Sequence, residues 1–288
     1  MATPSPTYRG PVDRLSYLVV LSRPRFWLYL AGPVLVGAAA AATTLGDLLS
    51  PEVFVLFAYF LVPANVFLYG INDLFDADVD EANPKKDDRE ARWRDDQINL
   101  AIVIGSGVLG AVVITLVPAL AGPWLAAHFF LAVEYSAPPF RFKTTPFLDS
   151  LSNGLYILPG VAAYAAVAGV NPPPLAVAGA WLWTMAMHTF SAIPDIDPDR
   201  EAGIQTTATA LGEGRTYAYC AVVWTLAAAS FATIDGRLAG LLAIYPLFVL
   251  GVALSDVDVA RAYWWFPILN TVVGMLITVG ALWGVVYG

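Results

Sequence analysis

An all-α, polytopic membrane bundle is the fold this sequence predicts, on three observations. Of its 288 residues, 58% are hydrophobic and only 13% are charged, against about 25% charged in soluble domains. Its mean hydropathy is +0.65. Apolar runs recur from end to end, each near the roughly 20 residues that cross a bilayer's hydrocarbon core. The expectation is one domain over residues 1–288, with about nine transmembrane helices in one bundle around a central cavity.

The spans are expected at roughly 26–46, 52–71, 99–120, 122–136, 148–169, 174–193, 217–234, 238–254 and 264–286. Gly122-Pro123 makes a tight turn between the third and the short fourth. The opening "MATPSPTYRG" lacks the basic, apolar, then small-residue order of a cleaved signal peptide. Nine spans put fourteen of the fifteen Lys and Arg residues on one side, leaving only Arg237 opposite. By the positive-inside rule that side, with the N-terminus, is cytoplasmic and the C-terminus is outside. The cavity is expected to open on the cytoplasmic side of a multi-pass cell-membrane protein surrounded by lipid. A net charge of −8 offers no nucleic-acid surface.

Several chemistries drop out early. Cys220 is the single cysteine, so neither an internal disulfide nor a cysteine metal cluster can form. His128 and His188 lie far apart without HExxH spacing. No Gly-rich phosphate loop ending in Lys-Ser/Thr is present, and the acidic loop after residue 72 lacks the glycine and final Glu of an EF-hand.

Two acidic stretches remain. "NDLFDADVD" (72–80) follows the second span and "SAIPDIDPDREAG" (191–203) follows the sixth, both on the cytoplasmic side. Residues four apart share a helix face, and Asn72, Asp76 and Asp80 step by four, as do Asp195 and Asp199. Traced back into the membrane, the stripes read Asn65, Tyr69, Asn72, Asp76 and Thr184, His188, Ser191, Asp195. Such stripes are expected to line a shared cavity, although Pro194 and Pro198 leave 195–199 as either a turn or a new helix start. Packed carboxylates repel unless a cation intervenes, and hard oxygens in this number suit Mg²⁺ with a substrate phosphate. A diphosphate in an apolar, aromatic bundle points to isoprenoid chemistry. A divalent-cation transporter is the non-enzyme alternative, and it expects ionisable residues deep in the spans.

"NDLFDADVD", "DIDPD" and the segment "YSAPPFRFK" (135–143) closely resemble the UbiA superfamily of intramembrane prenyltransferases over nearly the whole chain. The resemblance implies metal and diphosphate roles for Asn72, Asp76, Asp80, Asp195 and Asp199, as catalytic residues and as metal ligands. Asp73, Asp78 and Asp197 are additional, as auxiliary ligands or as loop charge. The resemblance implies a diphosphate partner in Lys143, with Arg141 second, and suggests Arg23 and Arg25 of "SRPRFW" as further contacts or helix anchors. The acceptor cavity is expected to be lined by Asn65, Tyr69, Tyr135, His188 and Ser191, with His188 and Tyr69 placed to position a water or to take up a proton after alkylation. Branches that alkylate an aromatic acid tend to carry an arginine near the position of Asn65, so an apolar acceptor is expected. The local wording resembles most the branch that adds a dimethylallyl unit from its diphosphate to lycopene and hydrates the ends. Geranylgeranyl transfer to a glyceryl phosphate ether, or to a quinone precursor, is the enzymatic alternative.

Overall fold

The computed structural model describes residues 11–80, 92–94 and 96–287, the side chains of residues 11 and 78–80 excepted. Every regular element among them is helical. They are α1 (Pro11–Leu21), α2 (Trp27–Ala41), α3 (Leu45–Leu48), α4 (Pro51–Leu61), α5 (Pro63–Asp80) and α6 (Gln97–Leu116). Then follow α7 (Gly122–Glu134), α8 (Leu148–Leu151), α9 (Leu158–Ala168), α10 (Pro174–Ser191) and α11 (Ile196–Glu201). The chain ends with α12 (Thr207–Leu211), α13 (Glu213–Ala232), α14 (Gly236–Leu242), α15 (Ile244–Ala253) and α16 (Val259–Tyr287). Short 3₁₀ turns join several of them.

Local sequence explains the boundaries. Ser50 caps α4 by accepting the Val53 N–H at 3.4 Å, and Pro51 sits in the first turn, where its missing N–H removes no helical bond. Asp96 caps α6 through the Ile98 N–H at 2.7 Å. Thr206 and Thr209 cap α12 reciprocally. Gly169, at φ 68°, ends α9 in the left-handed region.

Among the described residues, five helical stretches are long and apolar enough to cross a membrane: Leu45–Ala77, Gln97–Leu116, Leu148–Ala168, Gly236–Ala253 and Val259–Tyr287. Helices also lie at the other expected spans, but α2 and α7 have only 15 and 13 residues. The second expected span is two helices, broken at Val62 and Pro63. Outward faces present large apolar side chains, among them Leu247, Met275 and Trp283, as a lipid-facing surface requires.

Two apolar cores organise the bundle. The first gathers Leu30, Val34, Leu56, Phe60 and Leu125 from α2, α4 and α7. The second gathers Phe190, Trp224, Tyr245 and Phe266 from α10, α13, α15 and α16, with Trp224 stacked on Tyr245 and Phe266 at 5.5 and 5.6 Å. Tyr156 packs against both. Helix α2 joins them, lying against α9 on one side and α16 on the other.

The α2–α9 contact is backbone on backbone. A Cβ on Gly37 would overlap the Gly160 carbonyl, and one on Gly160 would come 2.5 Å from the Pro33 carbonyl oxygen. Small residues let membrane helices approach this closely.

Arg25 stitches the first core's edge to the last helix. Its guanidinium donates to the Tyr263 and Trp264 carbonyls at 3.2 and 2.5 Å and lies 3.8 Å over the Trp264 ring. We expect Arg25→Ala to lower stability by about 1–3 kcal/mol, since bonds from a charged donor are lost, with turnover per folded molecule unchanged. Thermal unfolding in detergent beside an activity assay checks both; lost turnover at unchanged stability would contradict this placement.

Candidate active site

A cavity of about 680 Å³ opens where the two cores meet. Its lining includes Asn72 and Asp76 from α5, and Asp195 and Asp199 from the turn and short helix after α10. The acidic stretches, more than a hundred residues apart, therefore share one wall space. Asp80 ends α5, and its side chain lies outside the described residues, as do those of Asp78, Lys85 and Lys86.

The second stripe is not one continuous helix. Helix α10 stops at Ser191, a 3₁₀ turn covers Ile193–Asp195, and α11 begins afresh at Ile196. Pro194 and Pro198, which cannot donate to an earlier carbonyl, explain the restart. His188, Ser191 and Asp195 still reach the cavity. Asp197 points away: it is 87% exposed and lies 3.7 Å from Arg200.

The loop after α7 delivers the basic groups. Lys143 N–H returns to the Tyr135 carbonyl at 3.0 Å, and Phe140 stacks on Phe142 at 5.4 Å, which makes the loop compact. Its Nζ donates to Asn72 Oδ1 at 3.1 Å and pairs with Asp76 Oδ1. Arg141 reaches the same Asp76 oxygen at 3.3 Å and the Phe75 carbonyl at 3.2 Å. Ser136 Oγ donates to Asn72 Oδ1 at 2.7 Å, which turns the amide oxygen toward the ammonium.

Arg23 reaches the cavity from the turn before α2. It pairs with buried Asp73 at 3.0 Å and lies 4.5 Å over the Tyr69 ring. Asp73 therefore aims Arg23 and does not itself line the cavity. Arg23 and Arg141 both adopt left-handed backbone, at φ 50° and 43°. Non-glycine residues are held there only where the surroundings over-determine them, commonly at functional sites.

Below this charged rim the lining turns aromatic and apolar, with Phe26, Tyr29, Leu68, Tyr69, Tyr135, Leu155, Tyr156 and Met187. Tyr69 and Tyr156 hydroxyls lie 3.4 Å apart, and Tyr29 meets Tyr156 edge-on at 6.2 Å.

Three residues expected at the site are elsewhere. Asn65 is fully buried off the cavity; its Nδ2 donates to the Phe60 and Leu61 carbonyls at 3.0 and 3.1 Å. Those carbonyls end α4 at the Pro63 break, so the amide serves the kink. Arg25 faces α16, as described above, and does not line the cavity. Thr184 likewise turns back, onto the Trp181 carbonyl at 2.8 Å.

One further group reaches the site from α8. Asp149, fully buried on α8, accepts the Thr207 N–H at 2.9 Å and also the Thr207 hydroxyl. Its Oδ2 lies 3.9 Å from His188 Nε2. Thr207 is 58 residues away, so only the tertiary fold exposes this pairing.

The donor set can be tested against a divalent cation. Among the described residues no three acidic or imidazole side chains form a ready-made metal cluster. Instead the Lys143 ammonium bridges Asn72 and Asp76, a cation already standing against hard oxygens. Asp195 and Asp199 face the same space. These residues fit Mg²⁺ arriving with a diphosphate, which would draw Lys143 and Arg141 onto its own oxygens.

Fold and cavity together define an apolar helical bundle with a charged and aromatic cavity between its two cores. The chain belongs to the UbiA prenyltransferase family, whose model matches residues 30–265. It is 74% identical to a lycopene elongase/hydratase of Haloferax volcanii, over 97% of this chain and 93% of that protein. It is 64% identical to one from Halobacterium salinarum, over 94% of this chain and 99% of that protein. Its fold matches a UbiA homologue from Archaeoglobus fulgidus bound to GPP and Mg²⁺. That match has a TM-score of 0.69 at 18% identity and covers 91% and 99% of the two chains. The protein is a multi-pass membrane prenyltransferase.

Proposed function

We propose that this enzyme transfers a dimethylallyl group from its diphosphate to the end of lycopene, with Mg²⁺, and hydrates the alkylated end. The observation that carries the reading is the single cavity walled by Asn72, Asp76, Asp195 and Asp199 over an aromatic floor. The two haloarchaeal relatives, named lycopene elongase/hydratase, support the acceptor. So does the placement of Arg23, Arg141 and Lys143, the Lys and Arg residues that line the cavity among the described residues, all three of which would serve the diphosphate and not an acceptor carboxylate.

Asn72, Asp76, Asp195 and Asp199 would hold the metal, and Asp80, four residues beyond Asp76 in the sequence, is proposed as a further ligand. Mg²⁺ supplies neutralisation of the departing diphosphate, which eases breaking of the allylic C–O bond. Lys143 and Arg141 would exchange Asp76 for diphosphate oxygens, and Arg23, which also lines the cavity, would add a third positive charge. The allylic carbon keeps its positive charge only while water is held off. Tyr69, Tyr156, Tyr29 and Phe26 line the same cavity, and aromatic rings can stabilise a cation. The C–O electron pair leaves with the diphosphate, and the acceptor's terminal double bond supplies the pair for the new C–C bond. A tertiary cation remains on the acceptor, and water captures it as a tertiary alcohol. The charged rim faces the cytoplasm in this reading, because the basic residues crowd that side.

Mass spectrometry of the pigments from a lycopene-producing host expressing this chain tests the reading. Lycopene extended by one and two five-carbon units and hydroxylated is the expected result. Unchanged lycopene, with the protein folded in the membrane, would overturn it.

A further inference from the structure

We propose that His188 is the proton acceptor of the hydration step, and that Asp149, fixed by Thr207, positions and stabilises it. The inference rests on the reading above and asks where the proton of the captured water goes. Water adds its oxygen to the tertiary carbon, forming one C–O bond, and the oxonium must lose a proton to leave a neutral alcohol. That proton needs a basic atom below the rim, beside the apolar chain.

The lining offers one such group. His188 reaches the cavity three residues before the end of α10, and Asp195 lies beyond that end. The imidazole therefore sits on the membrane side of the acids. Tyr69 and Tyr156 are phenols that bond to each other, suited to donate and not to take a proton. Asp76 is engaged by Lys143 and Arg141 at the rim. His128, the other imidazole, is fully buried with Nδ1 on the Leu155 carbonyl and does not line the cavity.

Asp149 supplies the second half of the device. A buried carboxylate held by two bonds from one threonine has no freedom to swing, and its Oδ2 stops 3.9 Å from His188 Nε2. That gap is long for a hydrogen bond and suits an ion pair. When His188 takes a proton, the new charge appears beside a fixed opposite one, the same logic by which an aspartate stabilises a catalytic imidazolium. The Tyr135 ring stands at 86° to the imidazole, 5.9 Å away, and fixes its plane.

The experiment gives purified enzyme in liposomes lycopene, dimethylallyl diphosphate and Mg²⁺, and measures the ratio of hydroxylated elongated product to the elongated alkene lacking that water. In His188→Ala the ratio falls about tenfold or more, a loss at the low end of acid–base contributions, and added imidazole restores it. Asp149→Asn lowers the ratio in the same direction without changing the KM for dimethylallyl diphosphate. An unchanged ratio in both variants would overturn the inference. So would elongation and hydration falling in parallel while Mg²⁺-dependent binding of the unreactive thiolodiphosphate analogue stays intact. If His188→Ala fails to fold, the ratio in Asp149→Asn decides. A wild-type enzyme that leaves lycopene unextended would instead overturn the acceptor reading, and this inference with it.

Discussion

Replacing Asp76 with Asn is expected to lower prenyl transfer by about 10²–10³-fold or more, the scale seen when one group stabilising transition-state charge is lost. The substitution keeps shape and hydrogen bonding and removes only charge. Asp76 is where Lys143 and Arg141 converge, so Asp76→Asn leaves two cations facing each other with no anion between them. The diphosphate then meets unbalanced positive charge where a metal ligand stood. Asp195→Asn is expected to cost as much, because it removes a carboxylate from the lining of the same cavity. Asp197→Asn serves as the control: with an 87% exposed carboxylate pointing to Arg200, it should turn over like wild type. Steady-state rates with lycopene and dimethylallyl diphosphate check all three. Near wild-type turnover in Asp76→Asn would contradict the role assigned to it.

The second large effect is on folding. Gly160→Val is expected to destabilise the protein by about 3 kcal/mol or more, at or beyond the upper end for overpacking. Its Cβ alone would come 2.5 Å from the Pro33 carbonyl oxygen, and backbone cannot rotate aside as a side chain can. The helices must separate, and the site feels it: α2 carries Tyr29, while Leu155 and Tyr156 lie just before α9. The edge-on contact of Tyr29 with Tyr156 spans that junction. A lowered unfolding temperature in detergent, with reduced yield from the membrane, is the expected result. Wild-type stability would mean that α2 and α9 do not meet here.

What the sequence could and could not reveal follows from the same physics. Carboxylates at the ends of apolar runs have few uses, so the two acidic stretches were legible from spacing and sidedness, whereas Lys143 stood out only through the family resemblance. The deepest members of the stripes were not legible. Asn65 and Thr184 fit the helical period, yet each satisfies its polar group on a carbonyl of its own chain segment. Periodicity cannot tell a side chain that serves a cavity from one that serves a kink. Arg23 and Arg25 lie two residues apart and part company because Arg23 is left-handed at φ 50° and opens a 3₁₀ turn, a choice invisible in "SRPRFW". The break before α11 was foreseen as one of two outcomes, since proline forbids one bond without choosing what replaces it. Asp149 escaped because its partners, Thr207 and His188, come from distant segments.

The account rests on two distant acidic segments acting as one site for a metal-bound diphosphate. Equilibrium binding of the thiolodiphosphate analogue to purified wild type, Asp76→Asn and Asp195→Asn, with and without Mg²⁺, tests that most directly. The account predicts tight binding only by wild type and only with Mg²⁺, and loss of the metal dependence in either variant. Equal binding without Mg²⁺, or Asp195→Asn binding as wild type does, would contradict it.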